Sequence, residues 1–416
     1  MQQELEALAK NDTWEVVDLP TGKKPIGSKW VYKVKLKADG SVDRYKARLI
    51  AKGYNQVEGV DYIDRFSPVA KAVTVRLFLA VASAYSWPIH QVTTIKKYLD
   101  SEFTIKDLGP AKYFLGLEIA RSTTGTSVTQ HKYTQDIIID AGLKSSKPAL
   151  TPLPLGLKLS STTSPVLSDP EPYHRLVGRL LYLSFTRPDI SYGTQQLSQF
   201  VHRPCQLHMD AALHLVHYLR GCPDKGLFFP TSNSFELIAF CDADWSSFVD
   251  SRRSLTGYCI FLGGALILWK TKKQPTVARS TVEAEYRSLG ATVCELEWIS
   301  FLLKDFAATI PTPIPLYCDN QVAVHIVANP VFHERTKHLE INCHLVRDKF
   351  KEGFVLPSHI FGTQQLADVF TKLLPAPAFA SALSKLGLVV FPQVQLEGGM
   401  LKDAHPPTTV AAAATE

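Results

Sequence analysis

Four acidic residues in the C-terminal third of the sequence stand where strands end and helices begin. Asp242 follows the apolar run "LIAFC", and Asp319 follows "IPLYC". Glu285 falls in the first turns of a long helical stretch, and Asp368 begins the last helical stretch. Strand ends and adjoining helix starts meet at one edge of a mixed sheet, so we expect the four carboxylates to converge.

Converging carboxylates repel one another unless a cation lies between them. Mg²⁺ prefers carboxylate and water oxygens, and two such ions about 4 Å apart would activate a water and stabilise the leaving oxygen of a phosphodiester. The acids therefore predict a site for two Mg²⁺ ions, with Mn²⁺ as a substitute. Each acid by itself would equally suit a cap, a turn or a solvated surface. Asp244 and Glu283 are the nearest competitors, and strand alternation and helix rotation would point both elsewhere.

The elements that would position these acids begin near residue 234. "FELIAFCDADW" has the pattern of a strand, and "TGYCIFLGGALILWKTKKQ" that of a hairpin turning at Gly263 and Gly264. The long helix "STVEAEYRSLGATVCELEWISFLLKDF" precedes the strand "IPLYCDN", and "FVLPSHI" precedes a last helix, "QQLADVFTKLL". The order β, β, β, α, β, α, β, α predicts an α/β (α+β) fold with a mixed five-stranded sheet and helices on its faces.

A basic hairpin is predicted upstream at residues 28–54. "WVYKVKL" alternates apolar and basic residues, "ADGS" supplies the turn and "YKARLIAK" returns. The aromatic residues between the basic ones are Trp30, Tyr32, Tyr45 and Tyr54. Such a ribbon suits a nucleic-acid backbone or a triphosphate, and a solvated hairpin with lysines guarding its edges is equally compatible. The basic residues are Lys29, Lys33, Lys35, Lys37, Arg44, Lys46, Arg48 and Lys52.

The remaining segments differ in composition. Residues 71–86 indicate an apolar helix, and residues 95–120 a short helix, a Gly-Pro turn and a strand. Residues 148–170 are rich in Pro, Ser and Thr and are typical of a linker. Residues 173–220 carry helical periodicity, and the end of the chain, from about 392, is expected to be disordered.

The bulk composition allows two or three domains in 416 residues, with 45% apolar and 20% charged residues. The formal net charge of +6 is informative only where it is clustered. Seven scattered cysteines, without a CxxC pair or a secretory signal, predict a cytoplasmic or nuclear protein that is not secreted. No apolar run approaches the roughly 18 residues of a membrane span, so no membrane partner is expected.

The acids lie within a resemblance over roughly residues 235–375. The motifs "CDADW", "SRRSLTGY", "WKTKKQ", "STVEAEYRSL", "CDNQVAVHIVANPVFHERTKHLEINCH" and "QLADVFTK" resemble the RNase H of copia-type LTR retrotransposons. The resemblance implies that Asp242, Glu285, Asp319 and Asp368 are the catalytic and metal-binding acids. It also implies Mg²⁺-dependent hydrolysis of the RNA strand in an RNA–DNA hybrid, without a small-molecule substrate.

Basic residues near these motifs are candidate phosphate contacts, or else solvated charges. They are Lys272, Lys273, Arg335 and Lys337. A second cluster has zinc-ligand types but not zinc-site spacing, and within the resemblance it is ordinary family sequence. It comprises His333, His338, Cys343 and His344.

The resemblance extends upstream to a copia-type reverse transcriptase. Residues 11–91 resemble its N-terminal fingers, which implies that Arg48 and Lys52 contact an incoming nucleotide. After Gln91 the chain passes through "VTTIKKYLD" to "IKDLGPAKYFLGLEIARS", which resembles the segment after the palm. The sequence contains no Asp-Asp pair, so the palm that would hold the polymerase metals is missing and polymerisation is not expected.

These observations predict six segments. They are a reverse transcriptase fingers remnant (1–92), a post-palm or thumb remnant (93–150), a linker (151–172), a helical connector (173–230), an RNase H-like domain (231–376) and a tail (377–416). The RNase H-like domain is expected to need nothing from upstream. The first 150 residues are expected to be less stable, because the helix at 71–86 has lost its packing surface. The predicted function is a retrotransposon-derived ribonuclease H, and the alternative is a catalytically silent nucleic-acid-binding remnant.

Overall fold

A computed structural model of the protein describes most of the chain. The residues it describes are 5–6, 18, 25, 27–36, 41–52, 71–87, 112–114, 116–161, 164–328 and 340–390. They belong to two compact units, Met1–Ala70 and Lys71–Glu416. The boundary between these two units falls at 70/71, and the predicted boundary at 92/93 stays a prediction. None of the helices in the described part of the chain is both long and apolar enough to cross a membrane.

The first unit contains the predicted basic hairpin. Strands β1 (Ser28–Leu36) and β2 (Val42–Ala51) pair antiparallel, which confirms the hairpin. Its register pairs Lys35 with Arg44 and Lys33 with Lys46, so basic positions oppose each other across the ladder. Tyr32 stands opposite Ala47, on the alternate set of positions. Trp30, Tyr32 and Tyr45 therefore share the face of the ribbon opposite to these basic positions, and Tyr54 lies outside the described residues.

The second unit contains the predicted mixed sheet. Its strands are β7 (Leu237–Asp244), β8 (Leu255–Leu262), β9 (Ala265–Lys273), β10 (Ile314–Cys318) and β11 (Val355–His359). Within the described residues their order is β11-β10-β7-β8-β9. The pairs β7–β8 and β8–β9 are antiparallel, whereas β10 is parallel to both β7 and β11. This confirms the predicted mixed five-stranded sheet.

A second, antiparallel sheet joins segments that are far apart in sequence. Its strands are β3 (Tyr113–Phe114), β4 (Leu117–Arg121), β5 (Gly125–Thr129), β6 (Lys225–Pro230) and β12 (Leu388–Val390), in the order β12-β6-β5-β4-β3. Helix α1 (Ala72–Ala84) packs on β5, β6 and β9 and fully buries Leu77, Ala80 and Val81. The expectation that this helix had lost its packing surface is therefore wrong, since the second sheet supplies one.

The remaining helices surround the two sheets. They are α2 (His131–Asp140), α3 (Glu171–Leu183), α4 (Ser191–Ser198), α5 (Gln206–Gly221), α6 (Thr281–Asp305), α7 (Gln321–Ala328), α8 (Glu340–Lys351) and α9 (Ala376–Lys385). The predicted last helix, "QQLADVFTKLL", is instead two short 3-10 turns, Gly362–Gln364 and Leu366–Phe370. The predicted tail is structured as far as β12, because α9 packs beside β12, which pairs with β6. Residues 391–416 lie outside the described part.

One hydrophobic core runs through the second unit from Leu77 to Leu386. The composition of residues 148–170 predicted a linker, yet Leu153 is buried and Ser160 Oγ donates to Asp250 Oδ1 at 2.7 Å. The segment boundaries predicted at 150/151, 172/173 and 230/231 stay predictions. Upstream helices share the core of residues 231–376, which argues against the expectation that these residues need nothing from upstream.

Candidate metal centre

Three of the four acids converge at one edge of the mixed sheet. Asp242 lies in β7, Asp319 directly follows β10, and Asp368 lies in the 3-10 turn Leu366–Phe370. Each offers a carboxylate oxygen within 4.8 Å of those of the other two. Since β7 and β10 are neighbouring parallel strands, their carboxyl ends meet at this edge. Asp242 is only 1% exposed, so the part of the cluster on β7 is buried.

Glu285 approaches the same cluster from helix α6. Its side chain is buried, and one of its oxygens lies within 4.8 Å of Cys318 Sγ and a carboxylate oxygen of Asp319. Cys318 Sγ lies 3.8 Å from Glu285 Oε2. Asp319 is thus shared between two overlapping groups of ligand atoms. Cys318 is both fully buried and beside Glu285.

The electrostatics of the cluster show an excess of negative charge. Burial, and then the neighbouring Asp242, raise the pKa of Glu285 to about 11. The same two causes raise the pKa of Asp368 to about 6 and also raise the pKa of Asp319. A shift in this direction means that the folded chain disfavours the ionised carboxylates. Hard divalent cations would remove this penalty, so the donor set fits Mg²⁺.

Lys372 supplies a positive charge within the cluster. Its Nζ lies 3.2 Å from Asp242 Oδ1 and 2.9 Å from Asp368 Oδ1. Burial lowers the pKa of Lys372, but Asp242 and Asp368 outweigh burial and raise it. Thr371 Oγ1 also donates to Asp242 Oδ2. Sequence reasoning missed Lys372, although its place four residues after Asp368 was a usable signal, since residues of such spacing neighbour each other on a helical turn.

The two competing acids lie outside these groups of ligand atoms. Glu283 accepts from the Arg279 backbone N–H at 2.7 Å and pairs with Arg287 at 2.7 Å, so it caps and braces α6. Asp244 is half-buried, and burial followed by Asp242 raises its pKa. Among the described residues, neither joins the ligand groups formed by Asp242, Glu285, Asp319 and Asp368.

Gly257 permits the close approach that brings Asp368 to the sheet. It stands on β8 opposite Asp242. A Cβ at this position would lie 2.5 Å from Thr371 Cγ2 and 2.9 Å from Phe370 Cβ. Both atoms belong to the segment that carries Asp368 and Lys372. A side chain at 257 would therefore push that segment off the sheet.

We expect Gly257→Ala to destabilise the protein by about 1–3 kcal/mol, the usual cost of overpacking. Thermal unfolding followed by circular dichroism would measure the change. Gly178→Ala is a matched control, because a Cβ there meets nothing within 4 Å and Ala favours the helix that contains it. A Gly257→Ala variant as stable as the Gly178→Ala variant would contradict this account of the 3-10 turn.

The predicted phosphate contacts are only partly visible. Lys272 and Lys273 line an open groove of about 480 Å³ together with Lys270 and Arg287. Arg335 and Lys337 lie outside the described residues, as do His333 and His338 of the zinc alternative; the Cys343 side chain is not described either, and His344 is exposed. Arg48 and Lys52 belong to the first unit, where Arg48 is exposed and Lys52 half-buried.

Comparison with known families identifies the upstream part of the chain. The family model described as reverse transcriptase (RNA-dependent DNA polymerase) matches residues 11–94 and, in a second segment, residues 91–154. The two matched segments meet where the sequence predicted a missing palm.

Known relatives cover nearly the whole chain. The retrovirus-related Pol polyprotein from transposon RE1 of Arabidopsis thaliana is 34% identical over 493 residues, which cover 94% of this chain and 34% of the relative. Since 493 exceeds the 416 residues of this chain, the aligned region of the relative contains residues that this chain lacks. The chain spans about a third of the length of this relative.

Two further matches cover less of the chain. A putative transposon Ty5-1 protein of Saccharomyces cerevisiae is 33% identical, over 49% of this chain and 67% of the relative. RNase H1 of Halobacterium salinarum is a structural match with 16% identity, covering 33% of this chain and 94% of that chain, with a TM-score of 0.25. On the strength of the sequence relatives and of the family model, the chain belongs to the copia-type retrotransposon Pol polyprotein family.

Proposed function

We propose that the protein is an RNase H-type endoribonuclease that hydrolyses the RNA strand of RNA–DNA hybrids. The observation that carries this proposal is the convergence of Asp242, Asp319 and Asp368 within 4.8 Å, with Glu285 joined to them through Asp319. The four acids come from two strand ends, a helix and a 3-10 turn, and three of them have raised pKa values, an arrangement that suits cation binding better than packing.

Asp242, Glu285, Asp319 and Asp368 would hold two Mg²⁺ ions, or Mn²⁺ in their place. Such ions, when bound, supply an activated water and stabilise the leaving oxygen of a phosphodiester. The chain itself orients the acids. Thr371 fixes one oxygen of Asp242, and Ser288 Oγ donates to the Asp242 backbone carbonyl at 3.0 Å. Lys372 balances the charge of Asp242 and Asp368 in the metal-free protein.

The basic groove would contact phosphates of the hybrid. Lys270, Lys272, Lys273 and Arg287 line it beside the first turns of α6, which carries Glu285. Contacts of this kind release counterions, so affinity should fall steeply as salt rises. Recognition of 2′-hydroxyls would direct cleavage to the RNA strand and spare duplex DNA. No polymerase role is proposed for the reverse transcriptase segments.

A cleavage assay on an end-labelled RNA–DNA hybrid, with the full chain and Mg²⁺, tests the proposal. We expect cuts within the RNA strand that stop when EDTA is added, and intact duplex DNA under the same conditions. Hybrid that is bound but never cut would favour the silent nucleic-acid-binding remnant. Efficient cutting of duplex DNA would overturn the ribonuclease assignment while leaving the cation site in place.

Glu285→Gln is expected to raise the melting temperature of the metal-free protein by at least about 3 °C near pH 8. Folding raises the pKa of Glu285 from 4.5 to about 11, so the folded chain holds a proton that the unfolded chain releases within this window. The stability that this bound proton contributes is full below the pKa of the unfolded chain. It is lost as pH rises towards the pKa of the folded chain. Gln has no proton to lose and keeps an oxygen to accept the Ala243 backbone N–H.

Thermal melts in EDTA would measure this difference. The difference in melting temperature between wild type and Glu285→Gln should narrow near pH 5. At that pH Glu285 begins to bind a proton in the unfolded chain as well as in the folded chain. Asp305→Asn, at the far end of the same helix, serves as the control for a lost charge. A gap that is constant with pH, or a less stable Gln variant, would show that Glu285 carries no such penalty.

A further inference from the structure

Arg76 is a buried cation without an acidic partner among the residues that the structure describes. It lies in helix α1 and is 4% exposed. Its Nη1 donates to the Phe185 backbone carbonyl at 2.9 Å, and its guanidinium lies 3.7 Å from the centre of the Trp269 ring. Its Nε is buried without a hydrogen-bond partner. Burying a guanidinium in this way leaves most of its charge uncompensated.

The aromatic contacts alone do not compensate the charge of Arg76. Burial lowers the pKa of its guanidinium to about 9, and no acid opposes this effect. By contrast, Arg187, another buried arginine, pairs with Asp189 at 2.7 Å. The same core thus supplies a carboxylate for Arg187 and not for Arg76. A group from outside the chain would complete the surroundings of Arg76.

A cavity of about 360 Å³ adjoins Arg76. It is also lined by Thr271, whose Oγ1 is buried without a hydrogen-bond partner. Helix α1 and edge strand β9 therefore each contribute to the walls of one cavity a residue that carries an unsatisfied polar atom. Natural proteins leave few such atoms unpaired, which points to a bound polar ligand.

The charges and rings of the cavity indicate the chemistry of that ligand. Lys270 adds a second positive charge to the walls. Glu295 also lines the cavity, but its Oε1 already accepts the Tyr258 hydroxyl at 3.0 Å. With two basic groups against one carboxylate the walls are net positive, and Trp269 and Phe185 also line the cavity. None of the four acids of the metal centre lines this cavity.

We propose that this cavity binds a nucleotide through its phosphate monoester, with Arg76 and Thr271 as donors to the phosphate. A guanidinium can donate hydrogen bonds to two phosphate oxygens at once, and a hydroxyl can donate to a third. Aromatic side chains stack on nucleobases of any sequence. The volume falls at the lower end of small-ligand sites, which suits a mononucleotide or the phosphorylated 5′ end of a strand.

Isothermal titration of the full chain with AMP in EDTA tests the proposal. EDTA keeps the metal centre out of the measurement, so the result is independent of the proposed nuclease activity. We expect saturable binding that Arg76→Met weakens by about tenfold or more and Thr271→Val by a smaller factor. Arg175→Met, an exposed arginine of α3 outside the cavity, should bind as wild type does.

Competition identifies the source of the phosphate. Displacement of AMP by a 5′-phosphorylated DNA strand, but not by the same strand with a 5′-hydroxyl, would assign the cavity to strand ends. Displacement of AMP by inorganic phosphate, without displacement by either strand, would assign the cavity to the free nucleotide. If Arg76→Met fails to fold, Thr271→Val alone decides. Wild type that binds neither AMP nor phosphate, or cavity variants that bind as well as Arg175→Met does, would overturn the proposal.

Discussion

Asp242→Asn and Asp319→Asn are each expected to lower the rate of hybrid cleavage by roughly 10³-fold or more. Asp242 and Asp319 contribute oxygens to the same group of ligand atoms, and Asp319 also belongs to the group with Glu285. Asn keeps the shape of the side chain but removes the charge that would hold the cations. Because burial penalises the ionised form of Asp319, the fold should persist without that charge.

Initial rates at saturating Mg²⁺ would measure the loss, with circular dichroism melts to show that each variant is folded. Asp244→Asn is the matched control, two residues along the same strand and outside both ligand groups. It should retain activity within a few-fold of wild type. Asp242 and Asp244 lie on the same face of β7, so equal losses would mean that Asp244 also takes part in binding the cations.

A fragment of residues 231–376 is expected not to fold cooperatively, whereas a fragment of residues 71–390 should. Within the second unit, β9 packs against α1, α4 and β6, all of which lie upstream of residue 231. Trp269 Nε1 donates to Ser191 Oγ at 3.0 Å, and its ring lies against the Arg76 guanidinium. Cutting at 231 would expose this surface to water and remove its partners.

The shorter fragment should lose most of its free energy of unfolding. A folded domain is stable by only about 5–15 kcal/mol, and burying one large apolar side chain contributes ~1.5–3 kcal/mol. Thermal and urea unfolding of both fragments would measure it. Gel filtration would report aggregation of the shorter one. If residues 231–376 unfold cooperatively at the midpoint of the longer fragment, the packing with upstream helices contributes little, and the RNase H-like region is self-sufficient.

Local patterns were enough to predict several elements. Period-two alternation predicted the hairpin that β1 and β2 form, and the apolar runs ending in Asp242 and Asp319 predicted two neighbouring strands of the mixed sheet. The stretch beginning "STVEAEYRSL" predicted the long helix α6, at whose start Ser280 Oγ accepts from the Glu283 backbone N–H. Each of these signals depends on residues within one or two turns of each other.

Other features depend on contacts between distant segments, and local patterns missed them. The stretch around Asp368 has helical periodicity, yet it forms 3-10 turns because it packs tightly over Gly257, more than 100 residues earlier. The helix at 71–86 was expected to lack a packing surface because the palm is missing. It packs on β5 and β6 of the second sheet and on β9 of the mixed sheet, and no pattern in residues 71–86 could indicate these strands.

The sequence by itself determined the family, the order of the elements and the four candidate acids, because motifs and periodicity are properties of neighbouring residues. Only the tertiary structure decided that Lys372 lies among those acids, that Arg76 is buried beside a cavity, and that upstream helices share the core of the mixed sheet. Burial and charge at these positions arise from segments that meet only when the chain folds. Local sequence records which residues are available, whereas long-range packing decides which of them lose water and face one another.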